Sequence, residues 1–277
     1  MISGKTRLIA HVGYPTEAFK APLIYNPWFD SRGIDAVVVP MGVKSEDYPA
    51  ALAAIRRFTN FHGALVTMPH KVTTVALLDA ASTAVQIAGS CNALRLLPDG
   101  RLLGDMFDGA GFVRGVRRKG LRLDGASCLV VGAGGVGSAI AASLAAEGPA
   151  RMTVFDTRAD SADALAARLR QHYPKIDVRS GSKDPAGCDL VVNATPLGMH
   201  ADDPLPLDVT RLSKDTLVGE VVMKQEITPL LQAALDRGCR IQVGTEMLFE
   251  MIPAYLEFFS LGTTTPDELR AVARVSY

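Results

Sequence analysis

The sequence carries no excess charge of either sign: Lys+Arg and Asp+Glu number 29 each among 277 residues. A chain that grips nucleic acid or an anionic membrane needs a basic face, and none is visible, so neither partner is expected. Cysteine is scarce. Cys91, Cys128, Cys188 and Cys239 are far apart, form no C-x-x-C, and have no histidine at ligand spacing beside them. That speaks against a structural zinc (metal: none) or a disulfide framework, and for buried free thiols in a reducing compartment. No apolar run approaches the length of a membrane span, and the opening MISGKTRLIAHVG holds no signal-like apolar stretch. The expectation is a cytoplasmic protein whose partner is a small molecule, acting as a monomer or homodimer.

What is present is globular in kind, 48% apolar and 21% charged, at a length that favours two domains. Short apolar runs at 7–13, 35–41 and 63–68 alternate with helical patterns at 22–33 and 47–58. The three runs suggest strands buried on both faces. The second helical pattern places Ala51, Ala54, Ile55 and Phe58 on one face. Pro98-Asp99-Gly100 sits between two short runs within 92–105, which predicts a β-hairpin. From residue 127 strands and helices alternate again, as right-handed βαβ units around a parallel sheet do. The expected architecture is α/β: an N-terminal α/β domain over 1–107, with C-terminal helices 245–277 packing back on it, and a second α/β domain built on a parallel sheet over 108–244. A cleft between two such domains is a usual place for a ligand.

Gly132-Ala133-Gly134-Gly135-Val136-Gly137 is a G-x-G-x-x-G that closes a Val-rich strand and opens an Ala-rich helix, the context that this motif needs. Gly132 permits the turn, Gly134 lets backbone N–H groups approach a pyrophosphate, and Gly137 lets the helix lie close to the sheet. The next strand ends in Asp156. A carboxylate there accepts hydrogen bonds from ribose hydroxyls and repels a 2′-phosphate, whereas Arg158 could receive one. Asp156 is the nearer group, which favours NAD over NADP. Asp160 and Ser161 are the better candidates for capping the following helix. Asn193, Thr195 and Pro196 end a further strand at the carboxyl edge, where ligands bind.

One stretch in the first half remains odd. ALVTMPHKVTT, residues 64–74, ends a β-like run in a proline and at once presents Lys71, four residues after Thr67. Taken alone, Lys71 is an exposed helix-start lysine, and Asp108 a helix cap.

Together the segments GALVTMPHK, AGSCNALRL, DGRLLGDMFDG, VVGAGGVGSAIA, NATPLGM and GTEML, in this order over essentially the whole chain, resemble the shikimate dehydrogenase family. The resemblance implies a substrate domain followed by a Rossmann-like domain. It also implies hydride transfer between a nicotinamide and a cyclic hydroxy acid, shikimate or a close analogue such as quinate. It places the catalytic lysine at Lys71 and its carboxylate partner at Asp108, and assigns Thr67, Asn92 and Asp108 to ring hydroxyls. Tyr25 and Met251 fall among the substrate residues, and Val221, Gly244 and Met247 among those near the cofactor.

The chain departs from the family pattern at one end of the substrate. The two serines that in typical members hold the substrate carboxylate are replaced by Phe19 and Ala21. The usual asparagine before Val-Thr is Leu65, the usual tyrosine is Met223, and the late glutamine is Met251. Met106 and Phe107 replace polar neighbours of Asp108. A buried carboxylate without donors costs several kcal/mol relative to a paired one. So either Lys20 or Tyr25 reaches it, or the substrate differs there, as an aminoshikimate-type or otherwise modified analogue would. Weak activity on shikimate itself is expected. A non-catalytic NAD-binding sensor on the same fold is the alternative of another class, and the retained Lys71 and Asp108 argue against it. After the second strand, Asp156-Thr157-Arg158 stands where NADP-using members show Asn-Arg-Thr, which again points to NAD.

Overall fold

The computed structural model describes residues 2–17, 19–200 and 202–274. It separates into two compact units, one of Met1–Phe107 with Ile252–Tyr277 and one of Asp108–Met251.

The first unit runs β1 (Arg7–Gly13), α1 (Pro22–Arg32), β2 (Ala36–Gly42), α2 (Tyr48–Ile55), β3 (Phe61–Val66), α3 (Lys71–Val75), β4 (Ala80–Ala81), α4 (Thr83–Ala88), β5 (Ala93–Leu96) and β6 (Leu102–Asp105). Its sheet has the order β2-β1-β3-β5-β6-β4. β1 pairs in parallel with β2 and β3, while β3–β5 and β5–β6 are antiparallel. The antiparallel pair is the expected hairpin, turned at Gly100 with φ 83°. α1 opens with Pro22 in its first turn and stops at Gly33, whose φ of 63° suits glycine. The helix buries Ile24, Tyr25, Trp28 and Phe29.

Two expectations fail here. β2 is not buried on both faces: it is the edge strand, where only Val38 is buried and where Pro40, lacking an N–H, is tolerated. In α2 the buried residues are Tyr48 and Leu52 rather than the Ala51/Ala54/Ile55/Phe58 stripe. The helix ends at Ile55, so Phe58 lies in the turn beyond it and is 57% exposed.

The second unit begins with α5 (Asp108–Arg118) and continues β7 (Ser127–Val131), α6 (Gly135–Ala146), β8 (Arg151–Phe155), α7 (Ala159–His172), β9 (Asp177–Ser180), β10 (Leu190–Asn193), β11 (Leu217–Glu220), α8 (Pro229–Asp236) and β12 (Arg240–Gln242). All its strands are parallel, in the order β12-β11-β10-β7-β8-β9. The chain winds outward from β7 in both directions, so the loops after β7 and β10 leave the sheet side by side at the switch point, where α/β proteins bind ligands. α7 starts at Ala159 with Arg158 in the cap position and no capping side chain, so neither Asp160 nor Ser161 caps it.

α9 (Gly244–Phe258) spans the division at Met251/Ile252, its first half belonging to the second unit and its last turns to the first. α10 (Pro266–Val272) packs on α1 within the first unit, where Trp28 Nε1 donates to Thr264 Oγ1 at 3.1 Å and Arg32 pairs with Glu268 at 2.7 Å. Residues 275–277 of the expected C-terminal block lie outside the described residues. All four cysteines are free and buried.

Candidate active site

In the first unit, chemistry gathers at the carboxyl ends of β1 and β3. His11 is level with Leu65 and Val12 with Val66. Strand alternation therefore puts His11, Gly13, Leu65 and Thr67 on one face. A Cβ on Gly13 would come 2.5 Å from Thr67 Cγ2, 2.8 Å from Met68 O and 2.8 Å from Phe19 Cζ. Only glycine lets Phe19 and Thr67 close over this strand tip. The Phe19 ring then stacks on His11 with centroids 4.0 Å apart.

His11 is 8% exposed, and its Nδ1 is buried with no hydrogen-bond partner among the described residues. Burial first, and then the Lys71 cation, push its pKa from 6.5 down to about 4, which keeps the ring neutral. Lys71 is the half-buried first residue of α3, and its carbonyl oxygen accepts from the Cys91 N–H at 2.8 Å. That bond ties the start of α3 to the segment carrying Asn92. The neighbouring His70 is structural: it stacks on Tyr48 at 4.1 Å, with Nε2 2.8 Å from Val43 O.

Asn92 is 1% exposed. Its Oδ1 accepts from the Phe107 N–H at 2.9 Å, and its carbonyl oxygen from the Val66 N–H at 2.8 Å and the Tyr255 hydroxyl at 3.2 Å. The amide plane is thereby fixed. Tyr25 lies 2% exposed under Tyr255, ring edge to ring face at 6.5 Å. Its hydroxyl has no partner among the described residues, and burial lifts its pKa well above the ordinary phenol value. Thr67, Lys71 and the unforeseen His11 thus meet at one strand edge. The signal for His11 was a lone histidine in an apolar strand, two residues before a glycine.

In the second unit Asp108 opens α5 and is 4% exposed. A Cβ on Gly111 would lie 2.7 Å from Met247 O and 2.7 Å from Met251 Cβ, so α5 runs tight against the first half of α9. This places Met247, which is buried, and Met251, which is half-buried. Gly244 has no room for a side chain against the backbone of Val221 and Val222.

The glycine loop separates two kinds of requirement. Gly132 has φ 107°, and a Cβ on Gly137 would overlap the Gly132 carbonyl oxygen, so the protein itself demands both. Gly134 has φ −71°, and a Cβ there would meet nothing within 4 Å. The protein does not require glycine at that position, whereas a pyrophosphate lying against the backbone does. α6 starts with no side-chain cap, which suits an anion at its positive end, beside Gly135 and Val136. These residues fit a dinucleotide.

Asp156 is oriented toward the same loop. Its Oδ2 accepts from the Ala133 N–H at 2.8 Å and its Oδ1 from the Arg158 N–H at 2.9 Å. Burial raises its pKa, but those two N–H groups and the Arg158 guanidinium outweigh that and leave it below the ordinary carboxylate value. The Arg158 side chain is 75% exposed, with Nε 3.9 Å from Oδ1. Asn193 is fully buried and folds the loop after β10: Nδ2 donates to Leu197 O at 3.0 Å, and Oδ1 accepts from Thr195 N and Oγ1 at 3.1 and 2.6 Å. Thr195 is left half-buried and Pro196 exposed at the turn. Val221 continues the edge, its N–H donating to Asn193 O at 3.2 Å.

Comparison with known proteins agrees in both units. Residues 12–94 match the family model of the shikimate dehydrogenase substrate-binding domain, and 128–202 that of the saccharopine dehydrogenase NADP-binding domain. A shikimate dehydrogenase (NADP(+)) of Acidiphilium cryptum is 34% identical over 99% of this chain and 98% of its own length. Among solved structures, shikimate 5-dehydrogenase from Listeria monocytogenes, in complex with shikimate and NAD, superposes with a TM-score of 0.90 at 25% identity, covering 98% of this chain and 97% of that one. Quinate dehydrogenase from Corynebacterium glutamicum, in complex with NAD, gives 0.86 at 28% identity over 96% and 98%. No helix among the described residues is long and apolar enough to cross a membrane. The full-length identity, the parallel dinucleotide-binding unit and the Lys71 edge converge: the chain belongs to the shikimate dehydrogenase family of oxidoreductases.

Proposed function

We propose that the protein is an NAD-preferring dehydrogenase of the shikimate type, interconverting the C3 hydroxyl and ketone of shikimate or a close analogue. The observation that carries this is Lys71 at the tip of β3, on the edge where Thr67 and Asn92 converge. A bound nicotinamide supplies or accepts the hydride. Lys71 Nζ gives the proton that the carbonyl oxygen needs as it becomes an alcohol, and takes it back in oxidation. Asp108, carried over from the family, serves as its carboxylate partner. Thr67 Oγ1 and Asn92 Nδ2 hold ring hydroxyls, the amide being held in plane by Phe107. Tyr25 and Met251 line the substrate, and Gly244, Met247, Val221, Asn193, Thr195 and Pro196 shape the nicotinamide end.

For the cofactor, Asp156 supports NAD: one oxygen is held by the Ala133 N–H of the glycine loop, the other by the Arg158 N–H, and the carboxyl stays ionised. The NADP(+) in the names of relatives weighs on the other side, and Arg158 is the group through which it would act. The test follows nicotinamide reduction with shikimate under NAD⁺ and NADP⁺ at equal concentration. Faster turnover with NADP⁺ overturns the NAD preference. Lys71→Ala is expected to lower kcat by roughly 10²–10⁴ with NAD⁺ affinity retained. An unaltered kcat in that variant would remove Lys71 from the proton transfer, and a wild type that binds NAD⁺ but turns over neither nucleotide would favour the ligand sensor.

A further inference from the structure

Resting on the dehydrogenase reading, we propose that His11 and the Phe19 ring stacked on it form a specificity-determining face of the substrate site, selecting a ring substrate whose group at this end is uncharged. An ester, an amide or an alcohol fits there better than a carboxylate. Position is the first ground. His11 shares its sheet face with Gly13 and Thr67, and Phe19 and Thr67 close together over Gly13. Whatever Thr67 and Lys71 hold therefore lies against this histidine.

The second ground is an unmet hydrogen bond. A buried imidazole nitrogen with no partner among the described residues is costly to leave so. A ligand hydroxyl reaching Nδ1 satisfies it in either tautomer, and a carbonyl does so in the tautomer that carries the proton on Nδ1. The Tyr25 hydroxyl, buried in the same unit, is a second neutral group in the same condition.

The third ground is charge. Phe19, Ala21 and Leu65 are apolar, and the last two are buried. Burial and the nearby Lys71 both keep His11 from becoming a cation. Apart from the Lys71 cation, which is engaged at the reacting hydroxyl, an anion there would meet a ring edge and neutral nitrogens, a poorer set of donors than water. A neutral polar group loses far less on entry, and the flat Phe19 ring covers the apolar face of a six-membered ring.

The experiment compares shikimate with its methyl ester on wild-type protein, His11→Leu and Phe19→Ser. Turnover is read by nicotinamide absorbance, and binding by calorimetry and the His11 ring resonances. Expected are at least about tenfold higher kcat/KM for the ester, and a KM for it raised about tenfold in His11→Leu with kcat within about threefold. Phe19→Ser should shift preference toward shikimate by about tenfold. A wild type that prefers shikimate tenfold, or a His11→Leu variant with unchanged KM for the ester, overturns the proposal. So does failure of both compounds to bind folded protein. If the ester binds and moves the His11 signals but neither nucleotide supports turnover, the face stands and the dehydrogenase reading falls.

Discussion

Gly134 and Gly137 stand three residues apart in one loop, yet the structure assigns them opposite reasons for being glycine, and alanine at each separates the two. At Gly137 the added methyl would overlap the Gly132 carbonyl oxygen, and that oxygen is backbone in a turn already at φ 107°. Neither α6 nor the turn can yield without shifting the helix off β7. Overpacking of this kind costs about 1–3 kcal/mol and sometimes more; with backbone on both sides, about 3 kcal/mol is expected. For a unit of this size that is a fall in Tm of roughly 6–12 °C. At Gly134 the backbone, φ −71° and ψ −175°, accepts alanine, and open space surrounds the new methyl. The variant should stay within about 1 kcal/mol of wild type, the reduced freedom of its unfolded chain offsetting the poorer fit of alanine at the N-cap of α6. Its NAD⁺ affinity should fall at least about tenfold, because the methyl stands where the pyrophosphate must approach. Urea or thermal unfolding gives the first quantity and calorimetric titration the second. If Gly134→Ala bound NAD⁺ as wild type does, the phosphates would not lie on this loop. A Gly137→Ala protein within about 0.5 kcal/mol of wild type would refute the steric account.

Asp156→Asn keeps an oxygen for the Ala133 N–H but removes the charge; the kcat/KM ratio for NADP⁺ over NAD⁺ should rise about tenfold or more, and an unmoved ratio would mean that Asp156 does not read the ribose. His11 makes stability pH-dependent. Its folded pKa of about 4 lies below the ordinary 6.5, so the stability it contributes is fully present above pH 6.5 and is lost as pH falls towards 4. At about 1.4 kcal/mol per pH unit the whole loss is roughly 3 kcal/mol. Unfolding followed against pH should show a step in the wild type over that interval that is absent in His11→Leu, and matching curves would contradict the buried neutral imidazole.

Much of the second unit could be read from residues, because its signals are local. A Val-rich strand, a glycine loop and an Ala-rich helix follow one another within 127–146, and the loop chemistry needs no distant partner. The hairpin at 92–105 was equally local. Where the reading failed, a long-range fact decided. The apolar run of β2 says nothing about whether a strand joins it on its outer side, and among the described residues none does. The α2 face went wrong because a helix ending at Ile55 rather than Phe58 buries a different stripe. In the first unit the local signal of Lys71 is that it follows a strand. His11 carries none, since nothing in RLIAHVG says that residue 19, across a loop, will stack on it.

The split of the first unit between Met1–Phe107 and Ile252–Tyr277 sets an order of events during synthesis. The second unit is one unbroken stretch, so every strand of its sheet has left the ribosome once Gln242 has. The first unit by then still lacks α10, and with it the Thr264 hydroxyl that holds the Trp28 indole and the Glu268 carboxylate that pairs with Arg32. It lacks too the Tyr255 hydroxyl that braces the Asn92 carbonyl. Domains commonly fold as units, in the order in which they emerge. Here the half of the molecule that is translated first is the half that is finished last, and the nascent chain is in a position to hold a dinucleotide before its Asn92–Lys71 edge is braced.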